Sequence, residues 1–299
     1  MSQDIRIGMI GLDTSHSIAF TKCLQAPDVT EDQRVTGAKV VTCLRFPTPF
    51  QAEDGLDERQ KQLEGWGVAV TRDFDEAVAE CEALMLEIND PAYHLEYFTK
   101  CAGLGKPIFL DKPMADNTAN ARAIYKMAKD KGVRVFSSSS LRFVPGLVET
   151  CEAIPNPLYT STYGPLGIAP AGSSIVWYGV HAFEMLERAM GRGAVSVFAR
   201  RDKAGVVATI EYEDARRGVV ELTEGAYAYG GCVREKGKAA AYTCDNSRLY
   251  PMELEKVVEF FKGAEAPATL DDALEITAML DAAERSVASG KAERLGLGE

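Results

Sequence analysis

Apolar and polar positions in the first 136 residues form short apolar runs separated by longer segments with helical spacing. The apolar runs predict six strands: Ile5–Ile10, Ala38–Leu44, Ala69–Val70, Ala83–Ile88, Pro107–Leu110 and Val133–Phe136. The intervening segments predict five helices: Ser17–Gln25, Glu58–Trp66, Phe74–Ala79, Ala92–Leu104 and Thr118–Lys131. Strands that alternate with helices are typical of a parallel sheet covered on both faces. The pattern therefore predicts a Rossmann-type, doubly wound α/β domain over residues 1–136.

The alternation of strands and helices stops after residue 136. Three consecutive strands without intervening helices are predicted: Ala194–Arg201, Val206–Tyr212 and Gly218–Thr223. A hairpin-like stretch follows them and extends to residue 243. Helices are predicted on either side of them: Leu147–Ala153, His181–Met190, Pro251–Lys262 and Asp271–Ser289. The Pro/Gly/Tyr-rich segment Pro155–Gly172 is expected to be irregular. Residues 137–299 therefore form a predicted α+β domain with a mainly antiparallel open sheet.

The charge of the chain limits the binding partners to be expected, and its cysteine content indicates the cellular compartment. The 299 residues include 33 basic and 44 acidic side chains, a net charge of −11, and form no basic cluster. We therefore expect no nucleic-acid or membrane partner. Seven scattered cysteines without a C-x-x-C pair, a polar N-terminus and no long apolar run indicate a cytoplasmic protein.

The segment RIGMIGLDTSHSIAF, residues 6–20, resembles a dinucleotide-binding loop but departs from it at two positions. Gly11 supplies the first glycine of G-x-G-x-x-G, whereas Asp13 and His16 replace the second and third. A carboxylate about 4 Å from a phosphate charge repels it by roughly 1 kcal/mol in water and about 4 kcal/mol at an effective dielectric near 20. Alternatively, Asp13 caps the following helix, and Thr14 and Ser15 remain free to bind phosphate.

Five motifs occur in an order that resembles the Gfo/Idh/MocA oxidoreductases, the family of glucose–fructose oxidoreductase and the inositol dehydrogenases. They are GLGKPIFLDKPMADN (103–117), SSSSLRFVPG (137–146), WYGVHAFEML (177–186), VREKGKA (233–239) and LDDALEITAMLDAAERSVASGK (270–291). The first is similar to the family's A-G-K-x-V-x-x-E-K-P block, with Asp111 in place of Glu. The resemblance extends over essentially the whole chain.

This resemblance implies an enzyme with NAD or NADP in its first domain and a small sugar- or polyol-like substrate between the domains. Lys112 matches the family's catalytic lysine and His181 its histidine. In that mechanism the two residues handle the hydroxyl proton while a hydride moves between substrate carbon and nicotinamide. The open sheet of the second domain implies a homo-oligomer, either a homodimer or a homotetramer.

Positions at the ends of predicted strands complete the expected cofactor site. Arg45 follows the second strand where an NAD site usually has an acid, so it favours NADP over NAD unless it is simply solvated. Glu87 is an unexpected carboxylate at the end of an apolar strand, where it needs a partner or a proton. The predicted cofactor-binding set is Gly11, Asp13, Thr14, Ser15, His16, Arg45, Glu87, Asn89, His94, Asp111 and Lys112.

The expected substrate site departs from the family pattern at Trp177, where the family frequently has an aspartate. Glu184, one helical turn after His181, either substitutes for that aspartate as a third catalytic residue or is an ordinary polar position. Arg142 is a candidate for binding a substrate carboxylate or phosphate. Tyr163, Trp177 and Tyr178 either form an aromatic wall beside the substrate or pack in the interior.

No metal site is expected, because the three histidines, His16, His94 and His181, lack H-x-x-x-H spacing. The leading hypothesis is an NAD(P)-dependent oxidoreductase acting on a hydroxyl or carbonyl of a small polyol-like substrate. Two alternatives stay open at this point. One is a binding or regulatory protein that has lost hydride transfer, and the other is a non-redox lyase or epimerase using Glu87, His94 and His181.

Overall fold

The first sheet of the computed structural model, which describes residues 4–297, has six parallel strands in the order β3-β2-β1-β4-β5-β6. They are β1 (Ile5–Ile10), β2 (Ala38–Leu44), β3 (Ala69–Thr71), β4 (Ala83–Leu86), β5 (Ile108–Leu110) and β6 (Val135–Phe136). The strand order reverses between β1 and β4, so a ligand crevice is expected outside the carboxyl ends of these two strands. The predicted doubly wound sheet is confirmed.

Five helices cover this sheet: α1 (Ser15–Gln25), α2 (Glu53–Gly65), α3 (Phe74–Ala79), α4 (His94–Cys101) and α5 (Thr118–Lys131). Helix α4 begins at His94 rather than Ala92 because Pro91–Tyr93 forms a 3-10 turn capped by the side chain of Asp90. Helix α2 begins at Glu53, five residues before the predicted Glu58. The prediction was too short because the first turn contains a single apolar residue, Leu56, and shows no apolar periodicity.

The second sheet has seven strands in the order β12-β11-β7-β10-β9-β8-β13. They are β7 (Tyr159–Pro165), β8 (Ala194–Arg201), β9 (Gly205–Tyr212), β10 (Arg217–Thr223), β11 (Gly230–Glu235), β12 (Lys238–Thr243) and β13 (Glu293–Arg294). Only β7 and β10 pair in parallel among these neighbours. The predicted mainly antiparallel sheet is confirmed, but strand β7 lies inside the segment that was expected to be irregular. Its inward positions include Thr160 and Thr162, so an apolar alternation is weak there.

Five further helices belong to the second half of the chain: α6 (Pro145–Ala153), α7 (Ser174–Trp177), α8 (Val180–Met190), α9 (Leu249–Phe261) and α10 (Leu270–Ser289). Helix α9 buries Leu254 and Val257 in the same apolar cluster as Phe20 and Phe136 of the first sheet layer. The residue-136 domain boundary remains a prediction, and α9 shows that the later sequence also completes the first core.

Helix α10 links the two sheets. A capping box fixes its start, in which the Thr269 hydroxyl accepts from the Asp272 N–H and the Asp272 carboxylate accepts from the Thr269 N–H. Its buried face contacts α5 on one side and α8 and β8 on the other. No helix within residues 4–297 is both long and apolar enough to cross a membrane.

Candidate functional site

A cavity of about 340 Å³ lies between the carboxyl end of the first sheet and the start of α8. The first half of the chain contributes Ser15, His16, Asn89 and Lys112 to it. Residues 137–299 contribute Ser140, Leu141, Trp177, Tyr178, His181, Tyr227, Tyr229, Asn246, Leu249 and Tyr250. A larger groove of about 570 Å³, between residues 102–107 and 131–134, lies at the opposite ends of the strands. Because parallel sheets bind ligands at the carboxyl ends of their strands, the smaller cavity is the candidate functional site.

Lys112 follows β5 and extends into this cavity, with its side chain 8% exposed. Its Nζ lies 3.5 Å from Oδ2 of Asp111. Burial disfavours the charged amine, but the carboxylates of Asp111, Glu253 and Glu87 outweigh it and raise the pKa of Lys112. The side chain is therefore an ammonium at neutral pH.

His181 enters the same cavity from the first turn of α8. Its Nδ1 lies 2.7 Å from the Ser139 hydroxyl, and its ring makes edge contacts with Tyr178 and Tyr229. Burial, with help from the charge on Lys112, lowers the pKa of His181 well below its usual 6.5. The imidazole is therefore neutral near pH 7, and Ser139 leaves Nε2 as the nitrogen available to a ligand.

His16, Glu87 and Asp111 form a buried cluster under the cavity. Nδ1 of His16 lies 3.0 Å from Oδ2 of Asp111 and 3.9 Å from Oε2 of Glu87. Burial raises the pKa of Glu87 well above 4.5, and the charges of Asp111 and Glu253 add to this effect. Burial acts in the same direction on Asp111, but His16 and Lys112 outweigh it and lower the pKa of Asp111.

Asp13 does not cap α1; that prediction is wrong. Thr14 is the cap, and its hydroxyl accepts from the His16 N–H at 3.2 Å. The Asp13 carboxylate is 1% exposed and instead accepts from the Thr48 hydroxyl at 2.7 Å and from the Asn89 N–H at 2.9 Å. It thus connects the loops that follow β1, β2 and β4, because these loops meet at the reversal of the strand order.

An aromatic contact extends this connection into the second half of the chain. The Trp177 indole donates to Oδ1 of Asn89 at 2.8 Å, and its ring centroid lies 5.4 Å from that of Phe50. Sequence reasoning missed Phe50 and Thr48, since PTPF in the loop after β2 carries no binding motif. Together these side chains cross the crevice outside β1 and β4.

Arg45 is not free to bind a 2′-phosphate, contrary to prediction. Its guanidinium is 5% exposed and lies 2.6 Å from Oε1 of Gln60, 2.5 Å from Oε1 of Glu53 and 2.6 Å from Oδ1 of Asp57. These acceptors all come from α2, which begins earlier than expected. The physical reason for the error is that the extra turn of α2 carries the acids that pair with Arg45.

His94 does not line the cleft, contrary to prediction. Its side chain is fully buried, with Nε2 2.8 Å from the carbonyl oxygen of Ile88 and Nδ1 3.3 Å from that of Met114. The ring therefore joins the loop after β4 to the loop after β5. Its sequence position at a strand-to-helix junction is correct, but the side chain points into the core.

Arg142 and Glu184 lie in the interior of the second half of the chain, not at the cavity. Nη1 of Arg142 lies 3.1 Å from Oε1 of Glu184 and 2.6 Å from Oε2 of Glu187. The proposed substrate role of Arg142 and the proposed assistance of His181 by Glu184 are both contradicted, since the two residues bind each other. Glu187, which the sequence analysis overlooked, belongs to the same cluster.

Of the predicted aromatic wall, Trp177 and Tyr178 line the cavity and Tyr163 does not. Tyr163 lies on the opposite face of β7 from Thr162, whose hydroxyl donates to the Ala182 carbonyl of α8. Tyr229 and Tyr250 complete the wall instead. Both follow the sequence FEML by more than 40 residues, and no local pattern indicates that they return to this site.

Comparisons with known proteins support this architecture. Residues 5–139 match the model of the Gfo/Idh/MocA family, described as an oxidoreductase family with an NAD-binding Rossmann fold. No curated protein sequence matched the chain.

Solved structures resemble the whole chain. A probable dehydrogenase from Thermotoga maritima is 20% identical with a TM-score of 0.77, covering 97% of this chain and 99% of its own. The scyllo-inositol dehydrogenase from Lactobacillus casei, solved with NAD(H) and scyllo-inositol, is 14% identical with a TM-score of 0.78, covering 98% and 99%. The prediction of an oxidoreductase agrees with the family description. Residues 5–139 therefore match the Gfo/Idh/MocA oxidoreductase family, as the motifs of the chain predict.

Proposed function

We propose that the protein is an NAD(P)-dependent oxidoreductase that acts on a hydroxyl or carbonyl group of a small polyol-like molecule. The observation that carries the proposal is the meeting of Lys112 and His181 in one cavity between the two sheets. These residues come from opposite halves of the chain. A substrate held between them would have a cation and a neutral base beside the same oxygen.

The protonation states of the two residues suit oxidation of an alcohol. A neutral His181 accepts the hydroxyl proton at Nε2, since Nδ1 is engaged by Ser139. The Lys112 ammonium stabilises negative charge that develops on the oxygen. In the reverse direction His181 returns the proton, and Lys112 polarises the carbonyl. Trp177, Tyr178 and Tyr229 supply flat apolar surfaces for the carbon face of a polyol.

A nicotinamide cofactor, when bound, supplies the hydride acceptor. The groups that would hold its phosphates are at the start of α1, where Gly11 has a φ of +110° and the exposed Ser15 faces the cavity. The contacts of Asp13 and Phe50 across the crevice would have to open for the dinucleotide to enter. Because Gln60, Glu53 and Asp57 hold the Arg45 guanidinium, neither NAD nor NADP is favoured at the ribose.

The proposal is tested by titrating the purified protein with NADH and NADPH while following nicotinamide fluorescence, after assaying for copurified cofactor. Micromolar binding of either, together with turnover of a polyol, is the expected result. His181→Asn should then lose turnover and keep cofactor affinity. A folded protein that binds neither nucleotide up to millimolar concentration contradicts the proposal.

One observation favours a second candidate, a non-redox acid–base enzyme such as a dehydratase or epimerase. The Asp13 carboxylate and its partners Thr48 and Asn89 occupy the crevice where a pyrophosphate would lie. Lys112 and His181 would serve as acid and base there without a hydride acceptor. Turnover of a polyol or keto-sugar by nucleotide-free protein, lost in His181→Asn, would identify this case.

We further propose a cytoplasmic homo-oligomer that contacts its copies through the outer face of the seven-stranded sheet. This face exposes Tyr159, Phe198 and Val207 at 40–46%. Their alternation with buried neighbours places them on the solvent side of β7, β8 and β9. Light scattering during gel filtration distinguishes dimer and tetramer from monomer, and Phe198→Glu should shift the population towards monomer.

A further inference from the structure

We propose that His16, Glu87 and Asp111 form a binding site for a divalent first-row transition metal ion, opening towards the Lys112–His181 cavity. One atom from each residue, Nδ1 of His16 and a carboxylate oxygen of each acid, lies within 4.8 Å of the others. The proposal does not depend on nicotinamide binding, and its test uses no nucleotide.

The spacing of the donor atoms suits a small ion. Ligand atoms that bind an ion at about 2.1 Å and subtend about 90° are roughly 3.0 Å apart. Nδ1 of His16 and Oδ2 of Asp111 are 3.0 Å apart. Oε2 of Glu87, 3.9 Å from the same nitrogen, subtends a wider angle at such an ion. Glu87 and Asp111 directly follow β4 and β5, and His16 lies in the first turn of α1, so regular elements hold all three in place.

Glu87 supplies an independent indication of a ligand. Its side chain is fully buried, and neither carboxylate oxygen has a hydrogen-bond partner among the described residues. Oδ2 of Asp111 and Nδ1 of His16 also lack a well-aligned hydrogen bond within residues 4–297. A buried carboxylate with no partner is costly, because no water replaces its lost hydration. A bound cation would satisfy all four atoms at once.

The charge of the surrounding residues points to a cation as well. Three buried carboxylates, those of Glu87, Asp111 and Glu253, surround the single ammonium of Lys112. Binding of a divalent ion would displace protons from these carboxyl groups and balance the two negative charges that then exceed the charge of Lys112. The Ser138 hydroxyl donates to Glu253 at 3.3 Å, so Glu253 already has a partner and is not counted as a ligand.

The donor chemistry selects the class of ion. One imidazole nitrogen with two carboxylate oxygens suits Mn²⁺, Fe²⁺, Co²⁺ or Zn²⁺ better than Cu⁺, which prefers sulfur, or Ca²⁺, which needs six to eight oxygens. His16 also lines the cavity, with its side chain 12% exposed. An ion there would have an open coordination position on the cavity side. At that position the ion would act as a Lewis acid and bind a hydroxyl or carbonyl oxygen.

The test is calorimetric titration of the chelator-treated full-length protein with Zn²⁺ and with Mn²⁺, without nucleotide. We expect one equivalent of Zn²⁺ to bind with micromolar or tighter affinity, and Mn²⁺ to bind more weakly. Glu87→Gln should weaken binding by at least about 100-fold, since loss of even an outer-shell partner commonly costs 10–100-fold. The exposed Glu96→Gln is the matched control and should bind as the wild type does.

A melting experiment keeps the test independent of folding. Metal-free Glu87→Gln is expected to melt at or above the temperature of the metal-free wild type, because it loses a buried unpaired carboxylate. Added Zn²⁺ should raise the melting temperature of the wild type and of Glu96→Gln but not of Glu87→Gln. The proposal is overturned if the wild type binds no metal, or if Glu87→Gln binds it unchanged. Neither result bears on nicotinamide binding, which is measured separately.

Discussion

Two buried clusters of charged side chains differ in how completely their charges are paired. In the second half of the chain, Arg142 lies between Glu184 and Glu187, with Asp272 3.8 Å away, and both glutamates bind it directly. Under the cavity, Glu87 has no hydrogen-bond partner among the described residues. Glu87, Asp111, Arg142, Glu184 and Glu187 are all as buried as the apolar core. The difference indicates that the first cluster stabilises the fold, whereas the second is arranged for a ligand.

Burial alone therefore does not identify a functional charge. Arg142, Glu184 and Glu187 lie on the 3-10 turn at Ser140–Phe143 and on α8, and Arg142 also approaches Asp272 of α10. Glu87, Asp111 and Lys112 directly follow β4 and β5, and His16 lies in the first turn of α1, beside the reversal of the strand order. The ends of such strands are where α/β sheets bind ligands. Both clusters are largely buried, but only the second lies at the strand ends, and this location distinguishes it as a candidate binding site.

The largest expected effect comes from removing the central cation of the cluster in which both glutamates are paired. Arg142→Met leaves two buried glutamates without their partner, which commonly costs about 3–5 kcal/mol. Urea unfolding should show this loss in the free energy of unfolding. Arg192→Met is the control, because Arg192 also approaches Asp272 but its side chain is 54% exposed. Its loss should stay within about 1 kcal/mol. Equal losses in the two variants would remove the distinction between the clusters.

A substitution in the second cluster should reduce enzymatic activity. Lys112→Met removes the cation beside the reacting oxygen, and we expect kcat/KM to fall by about 100-fold or more. The exposed Lys100→Met, on α4, is the matched control and should keep full activity. A Lys112→Met protein with unchanged kcat/KM would show that this cluster does not serve the reaction.

The smallest effect concerns the pH dependence of stability. Burial raises the pKa of Glu184 to about 7 from its usual 4.5, despite the opposing charge of Arg142. The folded state therefore holds more protons than the unfolded state between these values, so the free energy of unfolding decreases as pH rises from 5 to 7. The linkage amounts to roughly 2 kcal/mol.

Glu184→Gln tests this sign, because glutamine does not titrate. Urea unfolding of the variant at pH 5, 6 and 7 should show a flatter dependence than the wild type. A wild-type free energy of unfolding that instead increases over this range would show that Arg142 keeps Glu184 ionised. The cluster around Arg142 would then be fully ionised near neutral pH.

The elements of the fold could be predicted because their signals are local. The apolar runs of β1 and β4 and the capping and glycine signals of α5 determine where those elements lie. Strand β7 escaped prediction because buried threonines replace the apolar residues of a typical inward face. Helix α2 was predicted five residues too short because residues 53–57 contain one apolar residue, Leu56, too few for a helical period.

The candidate site was predictable only where a motif fixed a strand end or a helix start. Lys112 and His181 were found in this way, and both line the cavity. Tyr229 and Tyr250 were not, since their approach depends on the path of the second sheet and of α9. Arg45, His94 and Arg142 were placed on the correct elements, but their side chains find partners from distant segments.

The amino-acid pattern alone predicts a parallel sheet before a mainly antiparallel one, because apolar periodicity and helix-stop residues act within a few positions. The same pattern shows that Asp13 departs from the usual glycine loop. The folded chain was needed to show that Asp13 binds Thr48 and Asn89, that Arg142 is enclosed by glutamates, and that His16 meets Glu87 and Asp111. These outcomes depend on which loops meet in space, since a polar side chain binds whichever partner the folded chain brings within about 3 Å.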